Sequence, residues 1–185
     1  ILALVGEEVE RLISITNKLV LLSQADGHNF KLDLQAIKLN DLVGVIGEDI
    51  QSLMPNIKFE SNVPHKINVL ADPNLFQQLL NNLISNAVKY SPPNGTIFFK
   101  ATVSEDIVEF SLANHTFLSV DGLDERVFQR FYRHTVIANE DIELPKGDGL
   151  GLSLCLEIAK AHDGTLKLEK GPGKWVKFTV LWKSA

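Results

Sequence analysis

An α/β (α+β) two-layer sandwich is the fold this 185-residue sequence predicts: a mixed sheet covered by about three helices, with an extended helix at its N-terminus. Three observations carry that expectation. Two pairs of alternating apolar and polar runs, at 96–112 and 164–182, are interrupted by short turn signals, as β-hairpins require. Apolar residues recur at three- and four-residue spacing over 73–90 and 153–162, the period of helices with one buried face. The first 26 residues are so apolar on a helical period that partners must bury them.

The elements follow in order. The N-terminal helix is expected from Ile1 to Asp26, with Gly27 as its stop. Leu2, Val5, Val9, Leu12, Thr16 and Leu19 form the seam of a coiled coil or bundle, and Ile13, Ile15, Val20 and Leu22 widen it. Residues 28–38 read as a linker. A helix opening near Asn40-Asp41 covers 39–53, and strands at 57–60 and 66–70 flank Asn62-Val63-Pro64. Asp72 followed by Pro73 is a capping acid with proline at the first helical position, so the central helix starts there. Leu75, Leu79, Leu80, Leu83, Ile84 and Ala87 make its buried stripe. Thr96–Val103 pairs with Ile107–Leu112 across Glu105-Asp106, and Gly164–Lys170 pairs with Lys174–Trp182 across Gly171-Pro172-Gly173. Between the hairpins, Val127–Arg133 has the spacing of a short amphipathic helix packing Phe128 and Phe131. His134–Asp148 has little regular pattern, and a loop of that length is usually functional, here a lid.

Composition narrows the function. A net charge of −5 argues against a dedicated nucleic-acid surface. The single cysteine, Cys155, excludes an internal disulfide and reads as core. No apolar run is long and uninterrupted enough to span a bilayer. The chain begins at Ile1, so the expectation is that residues precede it in a longer protein and that any signal or membrane segment lies there. The five histidines suggest neither a metal cluster nor a Ser/His/Asp triad.

The chemistry concentrates in two segments. Asn82, Asn86, Lys89 and Tyr90 fall at spacings of four, three and one on the flank of the central stripe. Asn oxygens are hard, neutral ligands suited to Mg²⁺. Lys89 would place a point charge on phosphates, and Tyr90 offers a ring face to a base or ribose. For any one of these residues, a solvated polar face is the alternative. In Lys146-Gly147-Asp148-Gly149-Leu150-Gly151-Leu152, alternating glycines ahead of a helix leave backbone N–H groups open to a phosphate.

The run Asn81–Ser91, NNLISNAVKYS, resembles the N box of sensor histidine kinases, within the superfamily that also holds the gyrase, Hsp90 and MutL ATPase domains. Residues 146–152 resemble the G2 box of that family, 127–133 its F box, and 8–25 the second helix of its dimerisation and phosphotransfer hairpin. The resemblance implies a Bergerat-type ATP-binding fold over 39–185, a hairpin helix over 1–27 and a linker between them. It implies Asn86 and Asn82 as metal ligands, and Asn82, Asn86, Lys89, Arg130 and Arg133 as catalytic residues. Nucleotide would be held by Asn82, Asn86, Lys89, Tyr90, Asn114, Lys146, Gly147, Gly149, Leu150, Gly151 and Leu152.

The fourth box departs from the pattern. The family carries an Asp-x-Gly-x-Gly motif whose Asp reads the adenine amino group. Here Asn114 stands in its place, with Thr116 and Leu118 at the glycine positions. An Asn oxygen still accepts from adenine, but it is neutral, and its NH₂ could instead meet the base donor to donor. Thr and Leu resist positive φ and add bulk. The Glu that orients water in hydrolysing relatives has Asn82 at its position.

The implied activity is transfer of the ATP γ-phosphoryl, with Mg²⁺, to a His on a hairpin helix this chain lacks. From there it would pass to a response-regulator receiver domain. The resemblance further implies homodimerisation through the N-terminal helix and a cytoplasmic location, with membrane attachment only through upstream segments. The alternative is a degenerate module acting by dimerisation or docking.

Overall fold

Side-chain alternation along the two long hairpins determines where the core lies. The structure, a computed structural model describing residues 2–27, 30–135 and 144–185, contains α1 (Leu2–Asp26), β1 (Gln35–Lys38), α2 (Leu39–Leu53), β2 (Lys58–Asn62), β3 (Asn68–Ala71) and α3 (Pro73–Tyr90). These are followed by β4 (Thr96–Ser104), β5 (Ile107–His115), a 3₁₀ turn (Glu125–Phe128), α4 (Gly151–Ala161), β6 (Thr165–Gly171) and β7 (Trp175–Lys183). The main sheet runs β2-β4-β5-β7-β6, with β2 parallel to β4 and every other pair antiparallel. It is the mixed sheet expected.

On one face of that sheet Ile97, Phe99, Val108, Phe110, Leu112, Val180 and Trp182 are buried against α3 and α4. Phe76 of α3 stands edge-on to Phe110 at 5.7 Å and to Trp182 at 5.1 Å, packing worth more than its buried area alone. α3 begins as its sequence requires: the Asp72 carboxylate accepts from the N–H groups of Asn74 and Leu75 at 3.0 and 3.1 Å, with Pro73 at the first position. The Asp72 N–H in turn donates to His162 Nε2 at 3.0 Å, joining the start of α3 to the end of α4.

Two segments differ from the expectation. The stretch read as a linker holds β1, which pairs antiparallel with β3 from Gln35↔Ala71 to Lys38↔Asn68. Four residues with no clear alternation carry no strand signal of their own; the pairing comes from a partner thirty residues further on. The helix expected over 127–133 is a single 3₁₀ turn ending at Phe128, after which Gln129 is extended and Phe131 takes φ 63°. Phe128 packs against the core as expected, but Phe131 does not, and is 64% exposed. Of the segment read as a lid, residues 136–143 lie outside the described residues.

Candidate functional site

Capped at Asp72 and buried along its apolar stripe, α3 has its orientation fixed, so its polar flank faces the loop that leads into α4. Asn82, Asn86, Lys89 and Tyr90 all line one cavity of about 300 Å³, together with Lys146, Gly147, Gly149, Gly151 and Leu152. The glycine loop meets the helix closely. A Cβ on Gly147 would lie 2.9 Å from Lys89 Nζ, and the Asn82 amide lies beside Gly151. Gly149 adopts φ 69° with its Cα against the Phe131 and Tyr132 backbone, where a Cβ would approach atoms to 2.7 Å.

The opposite end of the cavity is apolar, walled by Leu118, Leu123, Val127, Val176 and Phe178. Asn114 sits there at the end of β5, buried and opposite Val176. Its Nδ2 donates to His115 O at 2.7 Å and to Ser91 Oγ at 3.2 Å. A carbonyl can only accept, so the nitrogen belongs on that side, and Oδ1 is the atom left for the cavity. The donor-to-donor clash considered from sequence therefore does not arise. Neither Thr116 nor Leu118 takes positive φ. Thr116 Oγ1 instead accepts from the Leu118 N–H at 3.1 Å, so these residues replace glycines without backbone strain, although both take up space in the cavity.

The polar end is strongly cationic. Burial, reinforced by the charge of Arg133, lowers the pKa of Lys89 below its ordinary value, with Asp148 opposing and Lys18 and Arg11 adding to the effect. Burial raises the Tyr90 hydroxyl. For Asp148 burial works against the charged form, but the bond from Lys18 and the Leu150 N–H outweigh it, and the carboxyl is held below its usual range. Burial pushes the Cys155 thiol up to about 12, so it stays a protonated core residue. Among the described residues no three His, Cys, Asp or Glu side chains gather as a metal site. The Asn86 side chain faces the cavity and makes no hydrogen bond among the described residues; its neutral oxygen suits Mg²⁺. Asn82 lines the cavity one turn earlier; its Nδ2 is buried without a hydrogen-bond partner among the described residues, and its Oδ1 lies 3.5 Å from where a Gly151 Cβ would be.

Two expected site residues lie elsewhere. Arg130 forks onto Asp26 at 2.5 and 2.9 Å and does not line the cavity. Leu150 is fully buried beneath it, with its N–H bound to Asp148 Oδ1 at 2.9 Å. Arg133 does line the cavity, donating to Pro145 O at 2.7 Å. Sequence reasoning missed Arg11 and Lys18, which reach the cavity from α1. Their seven-residue spacing, two helical turns on one face, was the available signal.

Residues 71–185 match the family described as histidine kinase-, DNA gyrase B- and HSP90-like ATPase. The sensor histidine kinase WalK of Bacillus subtilis is 30% identical over 183 residues, covering 95% of this chain and 29% of WalK. The chain thus spans well under half the length of the curated relatives it matches. The catalytic domain of the histidine kinase ThkA is 26% identical, with a TM-score of 0.67 over 82% of this chain and 97% of that one. ThkA in complex with the response regulator protein TrrA aligns over 98% of this chain and 50% of that one, with a TM-score of 0.73 at 22% identity, which bears on fold alone. By the match over its α3–β7 region, the chain belongs to the histidine kinase-, gyrase B- and HSP90-like ATPases.

Proposed function

We propose that this chain is the ATP-binding catalytic part of a sensor histidine kinase, transferring the ATP γ-phosphoryl to a histidine outside it. Residues 39–185, with β1 at 35–38 joined to them by its pairing with β3, are the catalytic domain, 1–27 the second hairpin helix and 28–34 the connection. One observation carries this reading: a single cavity brings Asn86 and Lys89 against the glycine loop at one end and the Asn114 oxygen to an apolar slot at the other. That arrangement suits a nucleotide, with base in the slot and phosphates on the cations.

Each residue then has a task. Asn114 Oδ1 accepts from the adenine amino group, while Leu118, Val176 and Phe178 exclude water around the ring. Lys89, Arg133 and Lys146 neutralise the phosphates, and Asn86 holds Mg²⁺ with Asn82 alongside. Bound Mg²⁺ would neutralise charge on the phosphate oxygens as the phosphoryl leaves. With Asn82 where a water-orienting base would stand, the site favours a nucleophile brought from outside over hydrolysis. Catalysis is then positioning and charge neutralisation.

The nucleophile is a histidine on a separate helix, and a response-regulator receiver domain takes the phosphoryl next, as the ThkA–TrrA complex suggests by analogy. The exposed Leu12, Ile13, Leu19 and Val20 of α1 support homodimerisation through that helix. Among the described residues no helix is long and apolar enough to cross a membrane. ATP and receiver domains belong to the cytoplasm, and so would this reaction.

Calorimetric titration with ATP, ADP and GTP, with and without Mg²⁺, tests the reading. Saturable, adenine-selective, Mg²⁺-sensitive binding is expected, and Asn86→Ala should remove the Mg²⁺ dependence. The side chains of Thr116 and Leu118 in the base slot favour a second reading, a degenerate module that acts by docking. Absence of binding at millimolar nucleotide would select it.

A further inference from the structure

Five cationic side chains line the cavity, Arg11, Lys18, Lys89, Arg133 and Lys146, although the chain as a whole carries −5. Among the described residues the one carboxylate lining it is Asp148. Two of the cations come from α1, outside the matched 71–185 region. α1 is anchored at its C-terminal end, where Leu22 and Ala25 are buried and Asp26 takes Arg130. Further back along the same helix, Lys18 reaches Asp148 at 2.7 Å, with both side chains under one-fifth exposed. One more pair of turns back is Arg11, whose ion pair among the described residues is an exposed contact to Glu8 at 3.3 Å. Such i,i+3 surface pairs are weak, so Arg11 loses little by exchanging Glu8 for a stronger anion. The charges of Arg11 and Lys18 already bear on Lys89. Crowded like charges with a single anion among them fit a polyanionic ligand.

We propose that α1 forms one wall of the polyphosphate subsite, with Arg11 binding the terminal phosphates of a nucleoside triphosphate and Lys18, through Asp148, positioning the glycine loop. This rests on the nucleotide reading above. It makes ligand binding and α1 docking reciprocal: each additional phosphate tightens the helix on the domain, and a helix pulled away loosens triphosphate more than nucleoside. Movement of α1 would therefore be felt at the phosphates before the base.

The test titrates the 185-residue protein and its Arg11→Gln and Arg11→Lys variants with ATP, ADP and adenosine, and follows α1 amide exchange with and without ATP. Arg11 is exposed, so both variants fold. Arg11→Gln is expected to weaken ATP about tenfold, from loss of a charge-assisted contact, to weaken ADP less and to leave adenosine unchanged. Arg11→Lys restores part of the loss, and ATP slows exchange along α1 in the unmodified protein. If the unmodified protein binds ATP but Arg11→Gln keeps the same ATP-to-adenosine ratio, this proposal alone is overturned. If it binds neither ligand, the nucleotide reading falls and takes this proposal with it.

Discussion

Phe131 and Gly149 meet backbone to backbone: the Phe131 N–H donates to Gly149 O at 2.9 Å, and both residues sit at positive φ. This contact ties the segment after the 3₁₀ turn to the glycine loop, so the two boxes hold each other in place. A Cβ at Gly149 would come to 2.7–2.9 Å of Phe131 and Tyr132 backbone atoms, which no side-chain rotation relieves. Gly122 has the same φ of 69° but open space around it, and so isolates the purely conformational penalty. Gly122→Ala should lose about 1–2 kcal/mol, and Gly149→Ala measurably more, with nucleotide binding lost as the loop shifts. Urea denaturation of the two variants in parallel checks this; equal losses would mean the close approach is unimportant.

Acid should weaken the fold before its carboxylates titrate. His162 Nδ1 donates to Ile158 O at 2.8 Å, its Nε2 accepts the Asp72 N–H at 3.0 Å, and its ring lies over Trp182 at 4.7 Å. Burial lowers its pKa below the ordinary 6.5, although the Ile158 carbonyl, Asp72 and Asp163 oppose the shift. The unfolded chain therefore takes up this proton at a higher pH than the native protein. The stability His162 confers is complete above pH 6.5 and is lost as the pH falls from there toward the lowered native value. His162→Phe should be less stable at pH 8, where both hydrogen bonds are missing, yet fall less steeply between pH 6.5 and 5.5. Parallel slopes for the two proteins in denaturant titrations across that window would rule the histidine out as the cause.

Periodicity made α3, α4 and both hairpins readable because their information is local: a capping Asp72, a proline, a three-four stripe, an alternating run. What stayed hidden is what depends on a distant partner. β1 is a strand only because β3 lies beside it. Arg130 looks like a phosphate ligand in its motif but meets Asp26, more than one hundred residues away in sequence. Phe131 has the spacing of a core residue, yet the left-handed backbone that serves Gly149 turns it to solvent. That the polar residues of α3 share one cavity was legible for the same reason as its core, since fixing one face of a helix fixes the other.

The adenine contact proposed for Asn114 has a consequence for stability that the motif comparison does not suggest. Its Nδ2 satisfies the His115 carbonyl at 2.7 Å, so an Asp in its place would set oxygen against oxygen there. Restoring the acid of the family pattern by Asn114→Asp should therefore lower the stability of the nucleotide-free protein by about 1–3 kcal/mol, the penalty for an unsatisfied buried acceptor. Thermal or urea unfolding without nucleotide measures it. An Asp variant as stable as the original would mean the amide does not hold that orientation.

Lys89 should trade stability for binding. Burial and the neighbouring Arg133 lower its pKa, so its charge is disfavoured in the native protein relative to the unfolded chain. At pH 7 that charge opposes folding, and a neutral side chain of similar length should relieve it. Lys89→Met is thus expected to unfold at higher denaturant than the original when no nucleotide is present. The same substitution removes a cation that faces Gly147 at the polar end of the cavity, where the proposed function places the phosphates. A hydrogen bond to a charged group contributes about 1.5–3 kcal/mol, so ATP affinity should drop by roughly ten- to one-hundredfold. Denaturation and calorimetry on one preparation give both values. A variant that loses stability together with affinity would show that Lys89 braces the loop rather than waiting for phosphate.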